Sequence, residues 1–213
     1  QAEGCYLQAL KTYNLLQNKL QITRCLINIG TLKSTKKQFD LAIKHYREAL
    51  VYANEIGDLE LISDCNNNIG DNLINLNQLD SASIYLEEGL KLRDLIDNEY
   101  EKANSYNNLA RLYLKKEKII DALNCIKLAE TNATLSENTE ALVETYAMYA
   151  LYYEKNNQFK EALEFTKKQV TLKDSLINLE KENKSFFALK EENSSNNENN
   201  HSIIIWLYGI IGI

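Results

Sequence analysis

Proline is absent from the chain, and glycine occurs only 7 times in 213 residues. Those residues fix the tight turns of short-stranded sandwiches and barrels, so a turn-rich β architecture is excluded. Histidine is almost as scarce, with His45 and His201 alone. His45 shares its register with Cys5, Tyr85, Cys125 and Phe165, which marks it as a packing residue, and His201 stands in a polar stretch. There is no glycine-rich phosphate loop, nucleophile elbow or zinc-ligand spacing. The carboxylates are scattered over solvent faces with no paired site. The chain therefore reads as non-enzymatic, with no cofactor and no metal expected. Basic residues are outnumbered, 24 Lys and Arg against 30 Asp and Glu, for a net charge of −6. Nucleic acid binding depends on cations that neutralise phosphates, so a nucleic acid partner is not expected.

What the chain does have is a period. Ala2, Ala42, Ala82, Ala122 and Ala162 stand 40 residues apart. Asn28-Ile29-Gly30 returns as Asn68-Ile69-Gly70 and as Asn108-Leu109-Ala110. A fixed period of this length marks stacked units, each too small to bury its apolar face alone. Within one period the pattern predicts two antiparallel helices. Ile22, Leu26, Ile29 and Leu32 fall at spacings of three and four, one face of a helix A over about 20–34. Thr35-Lys36-Lys37-Gln38 is the turn. Helix B follows over about 39–56, with Ala42, Ile43, Tyr46, Ala49 and Leu50 inward, and Gly57-Asp58 ends it. Later pairs are expected at 59–97, 99–136 and 139–178. There, Asp97-Asn98 and Glu137-Asn138 replace Gly-Asp, with Asn expected to take the left-handed position. Gly30, Gly70, Ala110 and Ala150 read as points of close approach, with the alanines of helix B facing them.

The four cysteines follow the same register: Cys25 and Cys65 one period apart, Cys5 and Cys125 three. Packed helices lie roughly 10 Å apart, and a disulfide needs Cα atoms within about 7 Å. All four are therefore expected to be free, small and buried. The chain opens inside a helix B that lacks its partner, and it has neither an initiator Met nor a signal peptide, so both ends are expected to be cut. The repeats should occupy 1–178. A charged helical extension and a polar Asn, Ser and Glu linker should occupy 179–202. The uncharged apolar run 203–213 reads as the start of a transmembrane helix, too short by itself for a bilayer core of about 30 Å. The alternative is an apolar tail that folds back on the repeats.

Leu26, Ile29, Gly30, Ala42, Tyr46 and Ala49 together resemble the tetratricopeptide repeat pattern: large residues and a small one in helix A, then Ala, an aromatic and Ala in helix B. The resemblance implies an all-α fold, an α-solenoid of antiparallel helix pairs in a right-handed superhelix, whose inner wall of A helices binds a protein or peptide segment. It places groove positions at Arg24, Ile27 and Thr31; then Asp64, Asn67 and Asp71; then Asn104, Asn107 and Arg111; then Glu144, Ala147 and Leu151. The polar members, Arg24, Asp64, Asn67, Asp71, Asn104, Asn107, Arg111 and Glu144, are the candidate partner-binding residues. Asn28, Asn68 and Asn108 fall where the family uses Asn for packing and hydrogen bonding. Members that clamp a chaperone C-terminal carboxylate carry Lys and Asn on the first helix A and Lys and Arg on the third; Ile27, Thr31 and Asn107 stand in three of those places and only Arg111 fits, so that role is not expected. The tail resembles the junction of bacterial membrane-anchored sensor proteins, which implies repeats outside the cytoplasm, with a histidine kinase or transcriptional regulator beyond the membrane. A soluble cytoplasmic scaffold is the alternative.

Overall fold

The computed structural model describes residues 2–182 of the chain. Two compact units divide it, residues 1–169 and 170–213. Nine helices and no strand occur among the described residues. α1 is Ala2–Leu15, α2 Lys19–Thr35, α3 Phe39–Ile56, α4 Leu59–Asn75, α5 Leu79–Leu95, α6 Glu99–Lys115, α7 Ile119–Leu135 and α8 Thr139–Lys155; α9 is helical over 159–182. The even-numbered helices are the A helices of the period and the odd-numbered ones the B helices, so the fold is an all-α helical solenoid. The charged extension starting at 179 continues α9 without a break as far as 182. The linker and the apolar run 203–213 lie outside the described residues. Among the described residues no helix is long and apolar enough to cross a membrane.

The period shows first in the helix ends. Asn18, Asp58, Asn98 and Asn138 each precede an A helix, and each side-chain oxygen accepts from the backbone N–H three residues on, at 3.2, 3.1, 3.1 and 2.9 Å. Each satisfies one of the N–H groups that a helix start leaves unpaired. The residue before each cap is left-handed: Gln17, Gly57, Asp97 and Glu137 have φ of 51°, 71°, 52° and 54°. This corrects the sequence expectation. Asn98 and Asn138 do not end the preceding helix; they begin the next, and Asp97 and Glu137 take the strained position. The A-to-B turns repeat the device at Lys37, Asn77, Glu117 and Asn157, with φ between 58° and 60°.

Packing within the first unit explains the small residues. Tyr46 and Leu86 are buried, and a methyl group added at Gly30 would sit 2.7 Å from the Tyr46 ring. One added at Gly70 would sit 2.5 Å from Leu86 Cγ. The small position of helix A therefore faces the large residue of helix B first, and at Gly70 the Ala82 backbone follows at 3.4 Å. Along the register the pairs run Gly30 with Tyr46, Gly70 with Leu86, Ala110 with Ile126 and Ala150 with Thr166. Where the small member is glycine, the Tyr46 ring or the Leu86 branch fills the space a methyl would take, as a close-packed interior requires.

Cys25, Cys65 and Cys125 are free and buried, as expected, and burial pushes the Cys65 thiol up to about 12 and Cys125 to about 11. Cys5 is free but exposed. Its helix, α1, buries no residue and is tied to α2 at Glu3, whose carboxylate binds Lys33 at 2.5 Å and Lys36 at 2.7 Å.

Within the first unit α2 touches α4, α4 touches α6, and α6 touches α8. The B helices α3 and α5 meet only through long side chains, Arg47 lying over the Tyr85 ring at 6.0 Å, and the backbones of α3, α5 and α7 stay farther apart than those of the A helices. The A helices are the closer-spaced row, so the stack bends toward them and they form its inner wall.

Candidate functional site

The inner wall carries a cavity of about 490 Å³ between α4, α6 and α8, within the range of pockets that hold ligands. Helical spacing explains its lining. Residues 64, 67, 68 and 71 of α4 fall at intervals of three and four and share one face, as do 101, 104, 107, 108 and 111 of α6. Of the candidate residues, Asp64, Asn67, Asp71, Asn104, Asn107, Arg111 and Glu144 line this one cavity. Arg24, one period before Asp64, is exposed on α2 and lies outside it. Asn68, Arg93, Glu101, Asn108 and Met148 complete the wall.

Arg93 belongs to a B helix, and its presence is the least expected feature. Its register runs Tyr13, Ala53, Arg93, Ala133 and Lys173, and the two flanking alanines are fully buried. Arg93 is itself only 2% exposed and reaches from α5 to the inner wall. One guanidinium nitrogen donates to the Glu101 carbonyl at 2.8 Å and to Ser105 Oγ. The other donates to Asp64 Oδ1 at 2.9 Å and lies 3.4 Å from Glu101 Oε2. The planar fork thus joins α5 to both α4 and α6, a bridging geometry an ammonium does not reproduce. Burial raises the Asp64 carboxyl above its usual value even against the pull of this charge. The sequence signal was a large cation where two sibling units keep alanine.

A second charged group sits further along α4 and α6. Arg111 pairs with Asp71 and donates to Asn108 Oδ1 at 3.0 Å. Burial lowers its pKa, with the charge of Glu144 acting in opposition. Between the two groups runs a row of amides with different tasks. Asn107 spends both ends of its side chain on α8, donating to the Ala141 carbonyl at 3.0 Å and accepting from Thr145 Oγ1 at 3.0 Å. Asn108 donates to Asn67 Oδ1 at 3.2 Å. These bonds tie one A helix to the next and hold the wall in shape. Asn104 donates to Glu101 Oε2 at 3.0 Å and keeps its own oxygen unused. Asn67 accepts through Oδ1, but its NH2 has no acceptor among the described residues. Asn68 and Glu144 make no side-chain hydrogen bond among the described residues, so they too face the cavity unspent. Sequence reasoning set Asn68 aside with Asn28 and Asn108, because the repeat family uses Asn at that place for packing and hydrogen bonding.

The chemistry on offer is recognition. Among the described residues no group of His, Cys, Asp or Glu is placed to hold a metal. A family model for the tetratricopeptide repeat matches residues 23–54, 63–94 and 143–176. The chain contains tetratricopeptide repeats. Such repeats are typically non-catalytic protein-interaction modules, and the three matches coincide with the pairs α2–α3 and α4–α5 and with most of α8 and α9. A search of curated proteins finds no match. Among solved structures the chain is similar to the crystal structure of BtubC (BKLC) from P. vanneervenii, with a TM-score of 0.65 and 21% identity, over 82% of this chain and 73% of that one. At that identity the likeness speaks to the fold alone.

Proposed function

We propose that this repeat module binds an extended segment of a partner protein along the inner wall, over the cavity between α4, α6 and α8. The observation that carries the reading is the division of labour among the amides. Asn107 and Asn108 are consumed in holding the A helices together, while Asn67, Asn68 and Asn104 keep donors or acceptors turned to an open cavity. A side-chain amide both donates and accepts, which matches the alternating C=O and N–H of a peptide backbone. An exposed backbone bonded this way is held without reference to its side chains.

A test uses random peptides displayed on phage and selected on the full chain. Selected peptides should lose binding to a variant carrying Asn68→Ala, Asn104→Ala and Glu144→Ala together. They should keep it on a control, Ile84→Ser, at a 69% exposed position of α5. Peptides that bind the triple variant undiminished would remove the cavity from the account.

The apolar run 203–213 supports a finer placement, in which the repeats are the extracytoplasmic sensor region of a membrane-anchored bacterial signalling protein. A further stretch of about ten apolar residues followed by Lys or Arg would support that placement. A polar continuation would support the soluble cytoplasmic scaffold.

A further inference from the structure

The charge of the cavity is unbalanced, and the imbalance identifies what the partner segment carries. Asp64, Asp71, Glu101 and Glu144 line it against Arg93 and Arg111. Each arginine is flanked by two carboxylates. Arg93 is shared between Asp64 and Glu101, and Arg111 is paired with Asp71 while also feeling Glu144. One negative charge is left over at each place, for a formal charge of −2 across a single cavity. The desolvated walls make that surplus more effective than it would be on an open surface. An acidic surface alone would signify little, but Asn67 adds a second requirement. It is 8% exposed, it lines the cavity, and its amide NH2 lacks an acceptor among the described residues. That NH2 opens to the cavity, where a carbonyl oxygen from an occupant can accept from it. Glu144 meanwhile is an exposed carboxylate on the rim with no hydrogen bond of its own among the described residues. A free metal cation would meet the charge but not the donor. An acidic peptide would meet the donor but not the charge.

We infer that the segment held in this cavity carries an arginine or lysine side chain, seated against Glu144 and Asp71, with a neighbouring backbone carbonyl accepting from Asn67. The inference rests on the peptide-binding reading above and adds the side-chain chemistry to it. An arginine suits the site better than a lysine, because its fork can bond a carboxylate through two parallel N–H groups.

The test is a titration of the 15N-labelled full chain, followed at the side-chain amide signals of Asn67 and Asn104. The probes are capped tetrapeptide pools with one position fixed as Arg, Lys, norleucine or Glu and the others randomised, with spermidine as a cation lacking a peptide carbonyl. The Arg and Lys pools should bind roughly tenfold more tightly than the Glu pool, with norleucine between them. An exposed ion pair strengthens binding a few-fold, and the repulsion that Glu brings instead weakens it by a similar factor. The advantage over norleucine should shrink about threefold in Glu144→Gln and fall with added salt. Glu144→Gln changes an exposed side chain, so the fold is retained. Norleucine binding as tightly as Arg, with Asn67 shifting in both, would overturn the basic-residue inference and leave the peptide groove standing. Spermidine shifting Asn67 as strongly as the Arg pool would overturn the role given to the carbonyl. No shift of Asn67 or Asn104 with any pool would overturn both the inference and the groove.

Discussion

Gly70→Ala tests the packing rule on which the stack depends. In most helix interiors this change stabilises by about 1 kcal/mol, because glycine is the poorer helix former. Here the added methyl would stand 2.5 Å from Leu86 Cγ and 2.6 Å from Cδ2, with the Ala82 carbonyl oxygen at 3.4 Å. Cγ is a branch point rather than the end of a flexible chain, and Leu86 is fully buried, so it has no space to retreat into. The upper part of the usual overpacking range applies, about 3 kcal/mol, which leaves a net loss of about 2 kcal/mol. For a chain of this size that lowers the melting temperature by about 4–8 °C. The rescue is written in the chain itself, where Ala110 is matched by Ile126. Leu86→Ile alone should cost about 1 kcal/mol. The double variant should be no worse than Leu86→Ile alone, a coupling of about 2 kcal/mol in a urea-denaturation cycle. A neutral or stabilising Gly70→Ala, or two changes that simply add, would refute the claim that close approach at this register limits the packing.

Three further outcomes follow from the same structure. Arg93→Ala should cost about 3 kcal/mol in urea unfolding, because Asp64 and Glu101 lose their shared cation; the loss stays below the top of the range for buried pairs because both carboxylates are about a third exposed, at 33% and 31%. Of the four thiols, Cys5 alone should react quickly with an aromatic disulfide reagent at pH 8, and Cys65 and Cys125 should wait for denaturant; two fast thiols from the buried set would contradict the packing. Glu3 is held down to about 2 from an ordinary 4.5 by Lys33 and Lys36, so its tie between α1 and α2 is present above pH 4.5 and lost as pH falls toward 2, which amide exchange in α1 should report as selective fraying.

How much of this was legible beforehand depended on whether period or chemistry carried the signal. The helix pairs were legible because burial of one face forces apolar residues to recur at three and four, and the 40-residue repeat supplied several independent readings of each position. Helix B of the first full pair, Phe39–Ile56, was predicted with its observed bounds. The ends were less clear where two rules compete for one residue. Asn favours both the left-handed helix end and the N-cap, and only the hydrogen bond that Asn138 Oδ1 accepts from the Ala141 N–H decides between them. The lining of the cavity followed from register on the A helices, because residues one period apart on stacked helices must be neighbours. Arg93 escaped that logic. A position that holds alanine in two siblings reads as core, and nothing in a local pattern tells that a long side chain there will cross between helices to the other face. The same limit applies to Asn68 and Asn108, identical in type and register. Asn108 is consumed by Asn67 and Arg111 and Asn68 is unspent, a difference set by the neighbours rather than by the position.

The mixture of spent and unspent groups has a physical logic that joins fold to recognition. A purely apolar inner wall would bind the A helices together but would expose hydrophobic surface along the whole groove. A purely solvated polar wall would leave the A helices with no specific contact across the groove. Bonds such as Thr145 Oγ1 to Asn107 Oδ1, and the fork of Arg93 to Asp64 and Glu101, fix the spacing of α4, α6 and α8 with polar groups that also line the cavity. The distance between A helices is thus set before any partner arrives, and the unspent amides of Asn67, Asn68 and Asn104 are held at fixed separations. Preorganisation of that kind reduces the ordering cost of binding. It also means that substitutions at Asn107 or Arg93 act on recognition through the frame rather than through contact, weakening every partner alike, whereas a substitution at Glu144 changes which partner is chosen.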